Sequence, residues 1–318
     1  MSRSPPKVLS PKVHTIATGV SFVDALASGI LERWGGDPLA LAPITLLLPT
    51  RRSCRSLSDA FLRACGGRPL MLPRLLPLGD LDAEELEFFG DDPAETAGAA
   101  TDLPPATPTL RRQLLLARLI LAWGQAGGQE SSHPPRADQA VGLARDLAQL
   151  LDQVETEGLA FERLAELVPA DYARHWQTTL KFLTIVSDQW PKLQAAEGCI
   201  GPAERRRRLL EAQAEAWRRR PPSDPVIVAG STGSIPATAT LIQVVAGLPQ
   251  GLVILPGLDR EADDDVWRAL ADDPSHPQYG LSRLLAGLAV ERDQVGDWHH
   301  SHPASSPEPR AAFLQAAL

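Results

Sequence analysis

PVIVAGSTGSIPATATLIQVV, residues 225–245, reads as a buried strand, a turn of small residues and a helix. The run from Val226 to Ala229 is wholly apolar and of strand length, as expected where a parallel sheet is covered on both faces. Pro236 stands where a helix would begin, the position at which a missing N–H is of no consequence. A second apolar run, LVIL at 252–255, follows the helix PATATLIQVVAGL. Strand, helix and strand at this spacing make a parallel crossover unit, normally right-handed. The fold class expected is α/β.

The same grammar recurs nearer the N-terminus. KVHTIATG (12–19) is a strand candidate, and SFVDALASGILERWGG after it carries Phe22, Ala25, Leu26 and Ile30 at helical spacing. ITLLLP (44–49) is another continuous apolar run, followed by a helix from Arg51 to Ala64 that stops at Gly66-Gly67. Between 68 and 107 the chain is rich in Pro, Asp and Glu; PRLLPLGD reads as a short strand or turn and the rest as loop. Four helices are then expected in succession: Pro108 to Gln125, with Thr107 or Thr109 as its cap, Asp138 to Thr156, Asp171 to Ala196, and Pro202 to Arg220. Two more fall at Asp263 to Ala271 and Tyr279 to Leu288. The organisation expected is an α/β domain begun over 1–107, a helical subdomain inserted over 108–222, the rest of the α/β domain over 223–298, and a loose tail over 299–318 at a probable truncation point.

Composition narrows the function classes. Hydrophobic residues are 44% and charged residues 22%, which places the chain among folded globular proteins. A formal net charge of -8 excludes a uniformly basic surface while leaving room for local basic clusters that meet phosphate. Cys54, Cys65 and Cys199 are far apart with no CxxC pair, so they suggest neither a disulfide framework nor a zinc site, and a reducing cytoplasm fits. The first residues lack the apolar core of a signal peptide, and no apolar run is long enough to span a bilayer.

The turn GSTGS invites a phosphate reading. A working P-loop needs glycines for close backbone approach, a Lys for the β- and γ-phosphates and a Ser or Thr hydroxyl on magnesium. This turn has backbone and hydroxyls but no Lys, and HTIATGVSFVDAL, in the position of a nucleotide loop, has one Gly and no Lys. An acidic pair at a strand end would also be needed for hydrolysis, yet VIVAG ends in Ala229-Gly230. The plain reading is a tight strand-to-helix connection. The competing one is a small phosphorylated ligand held by Gly230, Ser231 and Gly233 at the positive end of the helix.

Several stretches together carry a resemblance: LLLPTRRSCRSLSDAFL (46–62), PRLLPLGDLD (73–82), LLLARLILAW (114–123), LAQLLDQVETEGL (147–159), HWQTTLKFLTIVSDQWP (175–191), VIVAGSTGSIPAT (226–238), LPQGLVILPGLD (248–259) and DPSHPQYGLSRLL (273–285). In this order they resemble the N-terminal part of the AddB family, the double-strand break repair subunits of AddAB helicase-nucleases, in its alphaproteobacterial form. The resemblance implies a degenerate RecA-like, P-loop NTPase-like parallel sheet with an inserted helical subdomain, the remains of a UvrD-like helicase core. It implies a non-catalytic, DNA-guiding module in end processing and recombination, partnered by AddA, which carries the motor. The family is far longer, and its nuclease site and iron-sulfur cysteines lie mainly in a distant region, so this chain alone is expected to have no enzymatic activity, cofactor or metal. ITLLLPTRR matches the strand and loop that contacts single-stranded DNA in related helicases, making Thr50, Arg51 and Arg52 the DNA-contact candidates. A hydroxyl and guanidinium groups at a strand's carboxyl end suit a phosphate ledge; surface arginines on a first helical turn are the bland alternative.

Other constellations have equally bland alternatives. Arg205 to Arg208 and Arg218 to Arg220 could follow a nucleic-acid backbone, but Glu204, Glu211 and Glu215 supply partners at helical spacing. Trp176, Trp190 and Trp217 could stack bases, although Trp176, Leu180, Leu183 and Val186 fall at core spacing. His299, His300 and His302 sit in a Pro/Ser-rich tail. Ser231, His276 and Asp259 match a hydrolase triad by type only, since no GxSxG surrounds the serine.

Overall fold

A computed structural model describes residues 12–79, 103–125, 136–159 and 188–301. Six parallel strands form one sheet: β1 (Val13–Ile16), β2 (Thr45–Leu48), β3 (Arg74–Pro77), β4 (Val226–Ala229), β5 (Gly251–Pro256) and β6 (Gly296–Asp297). Their order is β3-β2-β4-β5-β1-β6, and each neighbouring pair is parallel. This is the α/β parallel sheet expected from the sequence, consistent with a RecA-like fold. Six helices are α1 (Phe22–Trp34), α2 (Arg51–Ala64), α3 (Thr109–Gln125), α4 (Ala137–Glu157), α5 (Pro202–Arg219) and α6 (Pro236–Gly247). Two more are α7 (Asp264–Ala269), which runs into a 3-10 turn at Leu270–Asp272, and α8 (Tyr279–Leu288). Of the helix expected from Asp171 to Ala196, only 188–197 is described, and it is helical; the rest, with Trp176, lies outside the described residues.

Strand order and handedness place the helices. The β1-to-β2 and β2-to-β3 connections run one way along the sheet, whereas β4-to-β5 runs the other, so right-handed crossovers put α1 and α2 on one face and α6 on the opposite face. Side-chain alternation agrees. Ile44, Leu46, Leu48, Ile227, Ala229, Leu252 and Ile254 form one cluster with Ala25, Leu26 and Ile30 of α1 and Leu57, Ala60 and Phe61 of α2. Leu47, Val226, Val228, Val253 and Leu255, the alternate set, are also buried, as are Leu241, Ile242 and Val245 of α6. Each such side chain contributes roughly 1.5–3 kcal/mol by leaving water. That two-sided burial is why these strands read as unbroken apolar runs.

β6 was not expected. Its Gly296-Asp297 has no apolar signature; it is held by pairing to His14 and Thr15, and by Trp298, whose amide donates to the Thr15 carbonyl at 2.8 Å. The Trp298 indole N–H donates to Ala25 O at 3.2 Å, across a Gly29 that has no room for a Cβ.

The chain divides into two compact units, Met1–Thr96 with Glu211–Leu318, and Ala97–Leu210. The sequence put the divisions at 107/108 and 222/223; the second of the observed ones falls within α5. In the second unit α3, α4 and Trp190 share a core of Leu115, Leu116, Ile120, Ala140, Ala144, Leu147 and Leu151. Thr107 is not the cap of α3: its hydroxyl donates to Ile200 O at 3.1 Å and to Cys199 Sγ at 3.0 Å, tying the strand-like bridge between Ala106 and Ile200. The helix opens instead with Arg112 N donating to Pro108 O. No helix among the described residues is long and apolar enough to cross a membrane.

Candidate nucleic-acid interface

All strands being parallel, their carboxyl ends lie along one edge. β2 feeds a connection that runs outward to β3, and its neighbour β4 feeds one that runs the opposite way. The pair therefore marks a point where strand order reverses, the place at which open α/β sheets hold ligands.

The turn after β4 is used up by its own packing. Gly230 and Gly233 have φ of 74° and 62°, the left-handed region that glycine enters without strain. Gly230 N donates to Ile254 O at 2.9 Å, and Gly233 N donates to Ser231 Oγ at 3.3 Å. A Cβ on Gly230 would lie 3.1 Å from the Phe22 ring, and one on Gly233 would lie 2.9 Å from Leu284 of α8. The N-cap of α6 is Ile235, which brings no side-chain acceptor, and Pro236 follows it. Left-handed φ favours glycine at both positions, and Phe22 and Leu284 pack against the side that a Cβ would occupy.

The turn after β1 is likewise filled. Phe22 opens α1 and lies against Gly230 and the β2 side of the edge, where Pro49 is 3.8 Å from the same Cβ position. Thr18 abuts Gly257, whose N–H donates to Ile16 O at 2.8 Å, and Leu258 N donates to Thr15 Oγ1 at 3.1 Å. The first turn of α1 holds Asp24, which accepts from Ser21 Oγ and pairs with Arg63 of α2 at 2.5 Å. A hydrophobic ring and an acid stand where phosphate chemistry would want a Lys.

The turn after β2 differs. Thr50 is the N-cap of α2, with φ -142° and ψ 160°, and its hydroxyl accepts from Ser53 N at 3.1 Å while sharing a 2.9 Å bond with Ser53 Oγ. Arg51 and Arg52 occupy the first two helical positions and are exposed, as is Arg55. The first turn has no acidic residue. Cations at a helix N-terminus oppose the macrodipole, at a cost of about 0.3–1 kcal/mol each, and the reverse arrangement is the stabilising one. An anion at this ledge would offset that repulsion, and Thr50, Arg51 and Arg52 are brought together on one exposed surface at the edge.

The remaining constellations separate. Arg208 pairs with Glu204 at 2.5 Å, and Arg218 and Arg219 share Glu215 at 3.5 Å each; Arg205 Nε donates to Pro104 O at 3.2 Å. Trp190 and Trp217 are buried, as core residues are. Ser231, His276 and Asp259 are each spent on their own turns: Asp259 accepts from Glu261 N and Ala262 N, and His276 Nδ1 accepts from Gln278 N. Of the histidine group, His302 lies outside the described residues, His299 stands 4.0 Å from Glu32, and Ser301 N donates to Glu32 Oε1 at 2.7 Å. Among the described residues no group of three His, Cys, Asp or Glu side chains is placed to hold a metal, and Cys54, Cys65 and Cys199 are not in disulfides.

Phe22, which the helical spacing places in the hydrophobic stripe of α1, reaches across the strand ends to Gly230. No protein-family model matches the chain, and no curated protein matches it either.

Proposed function

We propose that the chain is a non-catalytic, helicase-like module of the AddB type, which guides single-stranded DNA during the processing of broken ends beside an AddA motor subunit. The observation that supports it most is the exposed pair Arg51 and Arg52 behind the Thr50 cap, on the carboxyl edge of an all-parallel sheet. The adjoining turns, after β1 and β4, are occupied by Phe22, Thr18 and Leu284. In this reading the sheet keeps the shape of a nucleotide-binding core without its cation and acids, and one ledge serves the phosphate backbone.

The test is binding of a fluorescent oligothymidylate to the parent, Arg51→Ala, Arg52→Ala and the double variant over a salt series. Each lost phosphate contact lowers the log–log salt slope by about 0.7 for a single strand. The double variant is expected to bind more weakly with a slope reduced by roughly 1 to 1.5; unchanged affinity and slope would remove the assignment. ATP titration is the companion measurement. No saturation is expected, and saturable binding abolished by a change at Gly233 would favour the phosphorylated-ligand reading of Gly230, Ser231 and Gly233.

A further inference from the structure

The helical unit carries a buried charge imbalance where α5 begins. Glu155, near the end of α4, accepts a hydrogen bond from Glu204 N at 3.3 Å, so its carboxylate occupies the amino end of α5, an 18-residue helix. Gly201, just before that helix, has no space for a Cβ because the Glu155 carboxylate stands there. Around it, Arg112 of α3 is 3% exposed and donates from Nη1 to Asp152 of α4 at 2.6 Å; its Nε and Nη2 are buried with no partner among the described residues. Glu204 of α5 is taken up by Arg208. The charged groups facing Glu155 are therefore Arg112 from α3, Asp152 from α4 itself and Glu204 from α5. Asp152 is thus paired with Arg112 and Glu204 with Arg208, and among the described residues Glu155 makes no ion pair.

We propose that Glu155 is a proton-sensitive latch for the helical unit, which in its neutral form holds the start of α5 against α3 and α4 and on ionisation lets that end loosen. A neutral carboxylic acid keeps its carbonyl oxygen for the Glu204 amide and meets no repulsion from Asp152 or Glu204. An ionised one keeps the same bond but is buried as a third negative charge. Burial is the largest influence on the Glu155 carboxyl; Arg112 and the Glu204 amide pull against it, the Glu204 and Asp152 charges add to it, and the group is pushed up to about 7.

The sign follows. Since the folded group holds its proton to higher pH than an open one, the stabilisation is fully present below the ordinary glutamate range and is lost as pH rises through about 7. Hydrogen exchange at the amides of 203–206 in the full chain, corrected for intrinsic rates, reads the opening directly. In the parent the opening constant is expected to rise on the order of twenty- to thirtyfold between pH 5.5 and pH 8. Glu155→Gln, of equal size and permanently neutral, is expected to open roughly tenfold less than the parent already at pH 5.5, to show almost no pH dependence, and to open on the order of a hundredfold less than the parent at pH 8. A parent that opens equally at both pH values, or a Glu155→Gln chain that keeps the parent's pH dependence, would overturn the latch. Carboxyl carbon-13 titration of the parent gives the same decision without any variant: a Glu155 midpoint near neutrality supports it, and a midpoint in the ordinary glutamate range refutes it.

Discussion

Replacing Gly230 by Ala tests whether the carboxyl edge is held by contact with Phe22. Gly230 has a φ of 74°, and an L-residue there carries about 1–2 kcal/mol of backbone strain. Against this, Ala reduces the freedom of the unfolded chain relative to Gly by about 0.4–1 kcal/mol. The backbone part is thus a net destabilisation of about 0.5–1 kcal/mol. The new Cβ would also sit 3.1 Å from Phe22 Cε1 and 3.4 Å from Cζ, inside the ~3.5–4.0 Å at which carbon atoms rest. Phe22 opens a helix whose Ala25 and Leu26 are fully buried, so the ring yields only by moving packed neighbours, at about 1–2 kcal/mol. The expected total is about 1.5–3 kcal/mol, seen as a urea midpoint lowered by roughly 1 M with m unchanged. A double-mutant cycle separates the two parts: in a Phe22→Ala background the Gly230→Ala cost should fall to the backbone part alone, a coupling of about 1–2 kcal/mol. A Gly230→Ala chain with an unshifted midpoint would refute the strain argument, and equal costs in the two backgrounds would refute the role of Phe22.

Ala289 caps α8 at φ 53° and ψ 42°, so Ala289→Gly relieves the strain that Gly230→Ala introduces and should stabilise by about 0.5–1 kcal/mol in the same urea assay. Thr50→Ala removes the acceptor for Ser53 N and should cost about 1 kcal/mol, whereas Thr50→Ser should be close to neutral by thermal unfolding. Trp190 is 2% exposed and its indole N–H has no partner among the described residues, so Trp190→Phe should cost less than about 1.5 kcal/mol, while Trp190→Ala should cost about 3–5 kcal/mol by denaturant unfolding.

What the sequence could say about the fold depended on how local the physics was. β2, β4 and β5 are covered on both faces, so their burial appears as unbroken apolar runs, and each strand falls within a residue or two of its run. β6 is two residues long and polar in pattern; the forces that make it a strand come from Thr15, some 280 positions away in the chain, and leave no periodic mark. The candidate ledge was legible because a Thr followed by two Arg after an apolar run is a local pattern that defines both a cap and a cationic first turn. The role of Phe22 was not, since only the strand order brings it to Gly230. Glu155 was equally hidden. Its helix reads as amphipathic, and nothing within ten residues of it announces that Gly201 and Glu204 fold onto its carboxylate.

The connections after β1, β2 and β4 along the carboxyl edge differ in which requirement they satisfy. After β1 and β4 the chain meets sterics: Thr18 against Gly257, Phe22 against Gly230, Leu284 against Gly233, each contact fixing a glycine that φ also demands. Neither turn brings a lysine to attract a phosphate. After β2 Thr50 caps the helix, and Arg51 and Arg52 follow at the end where the helix field disfavours cations. The helix dipole by itself favours Asp or Glu at such positions, as in the first turn of α1, where Asp24 meets Arg63. A helix start that faces solvent with two guanidinium groups and has no acid in its first turn is the physical reason to look there for a polyanion.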